Sequence, residues 1–148
     1  MGFEFKTIRR VEFSETDMAG IVHFANFFYY MESAEHAFYR SLGFSVILDQ
    51  LDPPLGFPRV HASCDYKRPL KFEDEFETHL LVKEKKSKVL HLLFKFHKLQ
   101  GGRTVADIAQ GELIVCCVAH QRDGSLTSTA IPSHLADLIE VAPGHLLA

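Results

Sequence analysis

Cysteine is scarce in this chain, which has three cysteines among 148 residues. Three cysteines cannot all pair with one another, and Cys116 and Cys117 are neighbours, so the sequence indicates no disulfide framework. There is also no pair of cysteines separated by two residues, which is the spacing of a zinc knuckle. The fold must therefore be held together by an ordinary hydrophobic core.

Long apolar runs are absent as well. No stretch approaches the ~20 apolar residues that a membrane-spanning helix needs. The first residues do not have the charged and then apolar layout of a secretory signal. We therefore expect a cytoplasmic protein that does not enter a membrane.

The chain also lacks an excess of positive charge. Its 16 Lys and Arg residues stand against 19 Asp and Glu residues, which gives a formal net charge of −3. Proteins that bind the phosphate backbone of nucleic acids are usually basic, so that class of partner is disfavoured. With 47% hydrophobic and 24% charged residues, the composition is typical of one globular domain, which we expect to span residues 1–148.

Histidine is frequent, but the sequence has no metal-binding motif. Nine histidines are present, with no His-Glu-x-x-His and no His-x-His. His91 and His97 would share one face of a strand, but they are six positions apart, which is too far for one ion. The spacing therefore predicts no metal site.

The segment from Phe24 to Leu42 is the strongest helix in the sequence. Large apolar residues recur there at steps of three and four, and Gly43 follows as a C-terminal stop. The pattern predicts a helix of about 19 residues. It would carry one broad apolar stripe, made of Phe24, Phe27, Phe28, Met31, Phe38 and Leu42.

The rest of the chain reads as strands that can cover this helix. A strand is predicted at 5–13, and after the helix four more follow at 60–66, 76–82, 90–96 and 104–120, each with alternating or continuous apolar residues. Gly111 lies inside the last of these and suggests a bulge. One helix among antiparallel strands indicates an α+β domain. The simplest arrangement places the long central helix in a curved five-stranded antiparallel sheet, which resembles the hotdog fold.

The loop before the helix has the residue types of an acyl-transfer site. Asp17 lies close to a helix start, where unpaired backbone N–H groups can stabilise an oxyanion. A carboxylate held there can attack a carbonyl carbon or take a proton from water. Gly20 would let the backbone pass close to a substrate. The alternative is that Asp17 is only a cap or turn residue. Glu32 and Glu35 on the helix are either second acids or ion-paired residues.

Three segments carry a resemblance to a known family. Residues 15–27 read ETDMAGIVHFANF and are followed by Tyr-Met-Glu at 30–32, residues 64–74 read CDYKRPLKFED, and Ile-Pro stands at 131–132 before a short helix. Together they resemble the hotdog acyl-CoA thioesterases of the 4-hydroxybenzoyl-CoA thioesterase type. The resemblance covers essentially the whole chain, and it is specific for the family but not for the acyl group.

This resemblance implies hydrolysis of an acyl-CoA substrate without a cofactor. Asp17 matches the catalytic carboxylate, as nucleophile or as general base. Phe24 matches the position whose backbone N–H polarises the thioester carbonyl, although the family often has Tyr or His there. The resemblance also implies a homodimer or homotetramer with the active site at the subunit interface. The expected substrate-lining and shaping residues near the loop are Gly20, Val22, His23 and Asn26.

A basic turn between two strands is a second candidate binding region. Lys85 and Lys86 stand in a lysine-rich stretch, and Ser87 resembles a serine found at this turn in the family. The cluster would bind the phosphates of coenzyme A. The alternative is a solvated hairpin tip whose lysines prevent edge pairing of the sheet.

Two other functions stay open at this point. A hotdog dehydratase acting on 3-hydroxyacyl thioesters needs a histidine and an acid facing each other, which is not the pattern around Asp17. A module that binds acyl-CoA or an acyl carrier without turnover would use Asp17 only as a cap.

Overall fold

A computed structural model describes residues 2–148 and contains one long helix and a five-stranded antiparallel sheet. The strand order in the sheet is β1-β4-β5-β6-β3, and a small sheet has the order β2-β7-β8. The elements are β1 (Glu4–Arg10), a 3-10 turn (Phe13–Glu15), α1 (Asn26–Ser41), β2 (Leu55–Gly56), β3 (Arg59–Tyr66), β4 (Glu75–Lys85), β5 (Val89–Gln100), β6 (Arg103–Cys116), β7 (Val118–His120), β8 (Leu126–Ser128), α2 (Ser133–Ala136) and α3 (Gly144–Leu147).

The predicted helix is confirmed, but it begins two residues later than the sequence predicts. α1 begins at Asn26 because the residues just before it form a tight turn instead of a helical one. It ends at Ser41, and Gly43 follows with a φ of +94°, a left-handed conformation that glycine adopts without strain. Its buried face includes Phe27, Met31 and Phe38 and packs into the core against the sheet.

The alternation predicted for the central strands is also confirmed. On β4, Phe76, Thr78 and Leu80 are buried beneath α1, and the residues between them face away from the helix. The sheet therefore has one face closed by the helix and one outer face. The C-terminal segment covers part of that outer face, where Leu81 and Leu93 pack against Leu146.

Two of the strand predictions are wrong in detail. The first strand ends at Arg10, and the chain then turns through the 3-10 turn toward the loop that holds Asp17. The strand predicted at 104–120 is two strands, because the chain leaves the large sheet at Cys117. That residue donates its N–H to the carbonyl of Lys88, and β7 continues in the small sheet beside β2.

Gly111 is not at a bulge, contrary to the sequence prediction. It pairs in regular register with Cys64 on one side and Phe94 on the other. The glycine is needed because α1 approaches the sheet closely there. A Cβ at this position would lie only 2.4 Å from Met31 Sδ and 3.0 Å from the carbonyl oxygen of Ser63.

Among residues 2–148, no helix is long and apolar enough to cross a lipid bilayer.

Candidate functional site

The loop before α1 holds Asp17 in a tight turn. The Asp17 N–H donates to the carbonyl of Ile21, and the Gly20 N–H donates to the carbonyl of Asp17, both at 2.9 Å. Gly20 has a φ of +79°, which a residue with a side chain rarely adopts. Asp17 Oδ1 accepts the N–H of Ala19 at 2.9 Å, while Oδ2 has no hydrogen-bond partner among the described residues. Asp17 is therefore a turn residue, and one oxygen of its carboxylate stays available for another partner.

The first N–H groups of α1 are not free, contrary to the sequence expectation. Those of Asn26, Phe27 and Phe28 donate to the carbonyls three residues earlier, at 2.9 to 3.3 Å. The N–H of Phe24, two residues before the helix begins, has no acceptor within residues 2–148. It is the backbone donor that the resemblance assigned to this position, and it is available to a carbonyl oxygen of a substrate.

The loop is joined to the helix by side chains that the sequence had singled out. Asn26 Nδ2 donates to the carbonyl of Glu15 at 2.8 Å, and the same carbonyl accepts the N–H of His23. His23 Nδ1 in turn accepts the N–H of Ala25 at 3.2 Å, and its ring stacks on that of Phe24. These contacts fix the path of the chain between Asp17 and the helix.

A cavity of about 400 Å³ opens beside this loop. Asp17 and Phe24 line it together with apolar walls from Val22, Phe27 and Leu70. Volumes of this size are typical of small-molecule sites with a few polar groups on apolar walls. The structure thus brings three of the predicted residues, Asp17, Val22 and Phe24, to one cavity, whereas Gly20 and His23 lie in the adjoining loop and Asn26 is the first residue of α1.

Sequence reasoning missed three polar residues of this cavity, Tyr66, Lys67 and Arg68. The Tyr66 hydroxyl donates to the carbonyl of Phe24 at 3.0 Å. Partial burial raises the pKa of Tyr66 to about 12, with Cys64 adding to the shift, so the phenol is protonated and donates. The signal was present, because these residues belong to the Tyr-Lys-Arg-Pro segment that carried part of the resemblance.

The basic turn does not line this cavity within one chain. Lys85 Nζ donates to the carbonyls of Ala136 and Ile139 at 2.9 and 2.7 Å, so it holds the end of α2 and the segment that follows. Lys86 pairs with Glu84 at 3.1 Å, and the Ser87 carbonyl accepts the N–H of Ile131. The predicted contact of this turn with coenzyme A stays a prediction.

Glu35 is an ion-paired residue and not an exposed second acid. Its side chain is 0% exposed, and it contacts Arg59 on β3 at 2.5 Å. Tyr39, one turn later on α1, donates its hydroxyl to the same carboxylate at 2.8 Å. Burial raises the pKa of Glu35, against the lowering effects of Arg59 and Tyr39.

We expect this buried carboxyl to make stability depend on pH. In the unfolded chain Glu35 ionises near pH ~4, whereas the folded protein holds its proton to higher pH. The free energy of unfolding of the wild type, relative to Glu35→Gln, should therefore fall as pH rises from about 4 to the raised pKa, and then level off.

Urea unfolding at several pH values measures this difference. Glu32→Gln is the matched control, because Glu32 lies on the same helix and contacts the same Arg59 at 3.3 Å but is half exposed. This variant removes a contact to Arg59 without removing a buried carboxyl, so it separates the effect of Arg59 from that of burial. If the stability of the wild type relative to Glu35→Gln rises with pH instead, the attraction of Arg59 has a larger effect on the Glu35 pKa than burial has.

Comparison with solved structures identifies the class of fold. A gentisyl-coenzyme A thioesterase aligns with 92% of this chain and 100% of its own, at a TM-score of 0.75 and 32% identity. The 4-hydroxybenzoyl-CoA thioesterase from Pseudomonas sp. strain CBS-3 covers 92% and 99%, at a TM-score of 0.79 and 18% identity, which shows the fold alone. The predicted α+β hotdog class is confirmed.

The family follows from the sequence match. The model described as the thioesterase-like superfamily matches residues 11–139, and the chain belongs to that superfamily. A 1,4-dihydroxy-2-naphthoyl-CoA hydrolase of Prochlorococcus marinus (strain NATL1A) is 31% identical over 100 residues, which are 61% of this chain and 65% of that protein. The chain spans between 45% and 65% of the length of the curated relatives it matches.

Proposed function

We propose that this chain is an acyl-CoA thioesterase, which hydrolyses a coenzyme A thioester to a free acid and the thiol. The observation that carries the proposal is the cavity lined by both Asp17 and Phe24, because the N–H of Phe24 has no acceptor among the described residues. Membership of the thioesterase-like superfamily supports it, as do similar proteins that are named as CoA thioesterases or hydrolases.

In this proposal Asp17 and Phe24 have complementary roles. The Phe24 N–H donates to the thioester oxygen, where negative charge develops as the carbonyl carbon becomes tetrahedral. The free Oδ2 of Asp17 either attacks that carbon or takes a proton from an attacking water. In both routes the C–S bond breaks and the thiolate leaves. In the first route water then hydrolyses the anhydride formed with Asp17, which releases the free acid and restores the carboxylate, whereas in the second route the acid forms directly. Tyr66 is a positioning residue, because its bond to the Phe24 carbonyl fixes the plane of the peptide next to the donor.

We propose a compact aromatic acyl group as the preferred substrate. Gentisyl, 4-hydroxybenzoyl and 1,4-dihydroxy-2-naphthoyl groups occur in the names of the similar proteins. A cavity of about 400 Å³ with the Phe27 ring on one wall fits a single or fused ring. A long alkyl chain would have to leave the cavity.

A panel of thioesters tests the function. Thiol release is measured with aroyl-CoA and straight-chain acyl-CoA substrates, hydration with an enoyl-CoA, and binding by calorimetry. Thiol release with the highest kcat/KM for an aroyl-CoA supports the proposal. Hydration of the enoyl-CoA supports a dehydratase instead, and tight binding without turnover supports a binding module.

The sheet edges support the proposed assembly. β3 is an outer strand of the five-stranded sheet, and Val60 and Tyr66 on it are 63% and 46% exposed. An unpaired strand edge is a natural place for a second copy to add its own strand. We propose that residues 1–148 form one hotdog domain in which the sheet curves around α1. Two or four copies of this domain would assemble as a homodimer or homotetramer, with the active site at the subunit interface. Light scattering on the purified protein measures the oligomeric state. The cytoplasmic location stays a prediction.

We expect Lys67, rather than the basic turn alone, to bind the phosphates of coenzyme A. Its side chain has no ion pair among the described residues, and the residue lines the cavity with Asp17. Lys67→Gln should raise KM several-fold and leave kcat near the wild-type value, because this exposed side chain would reach outward to the nucleotide and bind it equally in the ground and transition states. Steady-state kinetics with full-length acyl-CoA measures the effect.

Two controls make this result specific. A truncated pantetheine thioester lacks the nucleotide phosphates, so its KM should not respond to Lys67→Gln. Lys86→Gln tests the basic turn separately, because Lys86 pairs with Glu84 away from the cavity of its own chain, and a wild-type KM for this variant would assign the phosphate contact to Lys67. A higher KM for Lys86→Gln alone would favour the basic turn as the phosphate contact.

A further inference from the structure

The outer face of the large sheet gathers a set of metal-binding side chains that the spacing along the chain did not predict. Glu77 and His79 are two residues apart on β4 and therefore lie on the same face. His97 on β5 is the direct cross-strand partner of Glu77. One ligand atom from each of these three side chains lies within 4.8 Å of the other two. We propose that they form a site for a divalent transition-metal ion, with Zn²⁺ as the best fit.

The hydrogen bonds of the two rings favour metal binding. His79 Nε2 lies 2.6 Å from a carboxylate oxygen of Glu4 on β1, and His97 Nδ1 lies 3.1 Å from one of Asp107 on β6. A carboxylate accepts a hydrogen bond, so each of these nitrogens is the donor, and in the metal-binding form of the ring it carries the single proton. The lone pairs are then on His79 Nδ1 and His97 Nε2, which have no hydrogen-bond partner among the described residues.

This pairing is the usual environment of a metal-binding histidine. A carboxylate that accepts from the second ring nitrogen fixes the tautomer, orients the ring and makes the coordinating nitrogen more basic. Both histidines have such a carboxylate, each from a different neighbouring strand. Glu77, the third ligand, has no hydrogen bond or ion pair among residues 2–148, so its carboxylate is available.

Charge and burial also favour a cation here. His79 and His97 are only 12% and 21% exposed, so the site is partly shielded from water. Three carboxylates, those of Glu4, Glu77 and Asp107, surround the two rings. The opposing cations are Lys6, across from His79 on β1, and Lys95, across from it on β5. The ammonium group of Lys95 already donates to two carbonyl oxygens of the C-terminal segment.

The ligand set fits zinc better than a hard cation. Two imidazoles and one carboxylate suit Zn²⁺, whereas Mg²⁺ and Ca²⁺ prefer oxygen ligands only. Tetrahedral Zn²⁺ bonds are about 2.0–2.2 Å long, so ligand atoms that lie up to 4.8 Å apart would come closer together when the ion binds. Water would complete the fourth position. Because the ligands come from β4 and β5 and their carboxylates from β1 and β6, the ion would join four strands of the sheet.

Zinc titration of the full-length chain tests this proposal. The protein is first treated with a chelator and desalted, and Zn²⁺ is then added in a calorimeter. We expect one ion per chain, with a Kd well below about 100 µM. Bound Co²⁺ should give the intense visible absorption of a tetrahedral site, and Zn²⁺ should raise the Tm.

Variants locate the ion. His79→Gln and His97→Gln should each weaken binding by more than about tenfold and abolish the Co²⁺ absorption. Glu77→Gln serves the same purpose with the smallest change in shape. The matched control is His91→Gln. His91 lies on β5 and on the same outer face as His97, but it pairs with Glu112. This variant should bind Zn²⁺ and gain Tm as the wild type does.

Asp107→Asn separates a metal site from a chance cluster of polar residues. Asp107 would not touch the ion, so its substitution should weaken Zn²⁺ binding but keep the tetrahedral Co²⁺ absorption. Two results would overturn the proposal. One is the absence of saturable binding by the wild type, and the other is wild-type affinity in both histidine variants, which would place the ion on the cysteines or elsewhere.

Discussion

Asp17→Asn should lower the kcat of thioester hydrolysis by about a hundredfold or more, because an amide neither attacks the carbonyl nor accepts a proton from water. The fold should persist, since the substitution is nearly isosteric and the amide oxygen can still accept the N–H of Ala19. Thiol release with the best aroyl-CoA measures the loss. The KM should change little, because the carboxylate acts on the reacting atoms.

The chain offers a close control for this variant. Asp123 is an exposed loop residue whose Oδ1 accepts the N–H of Ser125 at 2.9 Å, which is the same local turn that Asp17 makes with Ala19. Asp123→Asn should leave both kcat and KM unchanged. Wild-type turnover by Asp17→Asn would show that the assignment of this carboxylate is wrong, whatever the activity of the chain.

Gly111→Ala should lower the free energy of unfolding by about 2 kcal/mol, which is within the usual cost of overpacking a core. The added Cβ would meet Met31 Sδ at 2.4 Å and the carbonyl of Ser63 at 3.0 Å. Met31 is fully buried, and the carbonyl belongs to a paired strand, so neither can move away without cost. Urea or thermal unfolding measures the change.

Gly144→Ala is the control for adding a methyl group. A Cβ at Gly144 would have no neighbour within 4 Å, so its effect should stay within about 0.5 kcal/mol of the wild type. Shortening Met31 in the Gly111→Ala background should be less harmful than in the wild type, because it removes part of the clash. Wild-type stability of Gly111→Ala would mean that α1 does not approach the sheet as closely as the structure has it.

The helix and the central strands could be predicted because their signals are local. The apolar stripe of α1 repeats with the helical period, and the alternation along β4 repeats with the strand period, so each element indicates its buried face without knowledge of its neighbours. The stop at Gly43 is local as well. The break at Cys117 was missed, since it depends on hydrogen bonds to Lys88 and Thr129 from other parts of the chain.

The loop of the candidate site was found because its residues are contiguous. Asp17, Gly20 and Phe24 lie within eight positions, and a family motif of that length carries the resemblance. Tyr66 and Lys67 reach the same cavity from β3 and the residue after it, more than 40 positions later. Nothing in their spacing from Asp17 shows that they meet it.

By itself the sequence determined the class of fold, the long helix, the position of the Asp17 loop and the absence of a disulfide framework. The tertiary structure decided why Gly111 is a glycine, where Glu35 finds its cation, and which N–H before α1 is left free. It also decided that Glu77 and His79 meet His97, although His97 comes 18 positions after His79 in the sequence. The physical reason is that the helical and strand repeats of apolar residues can be recognised within a short stretch of sequence. Pairing register and helix-to-sheet distance bring together residues that are remote along the chain, and they are fixed only when the whole core packs.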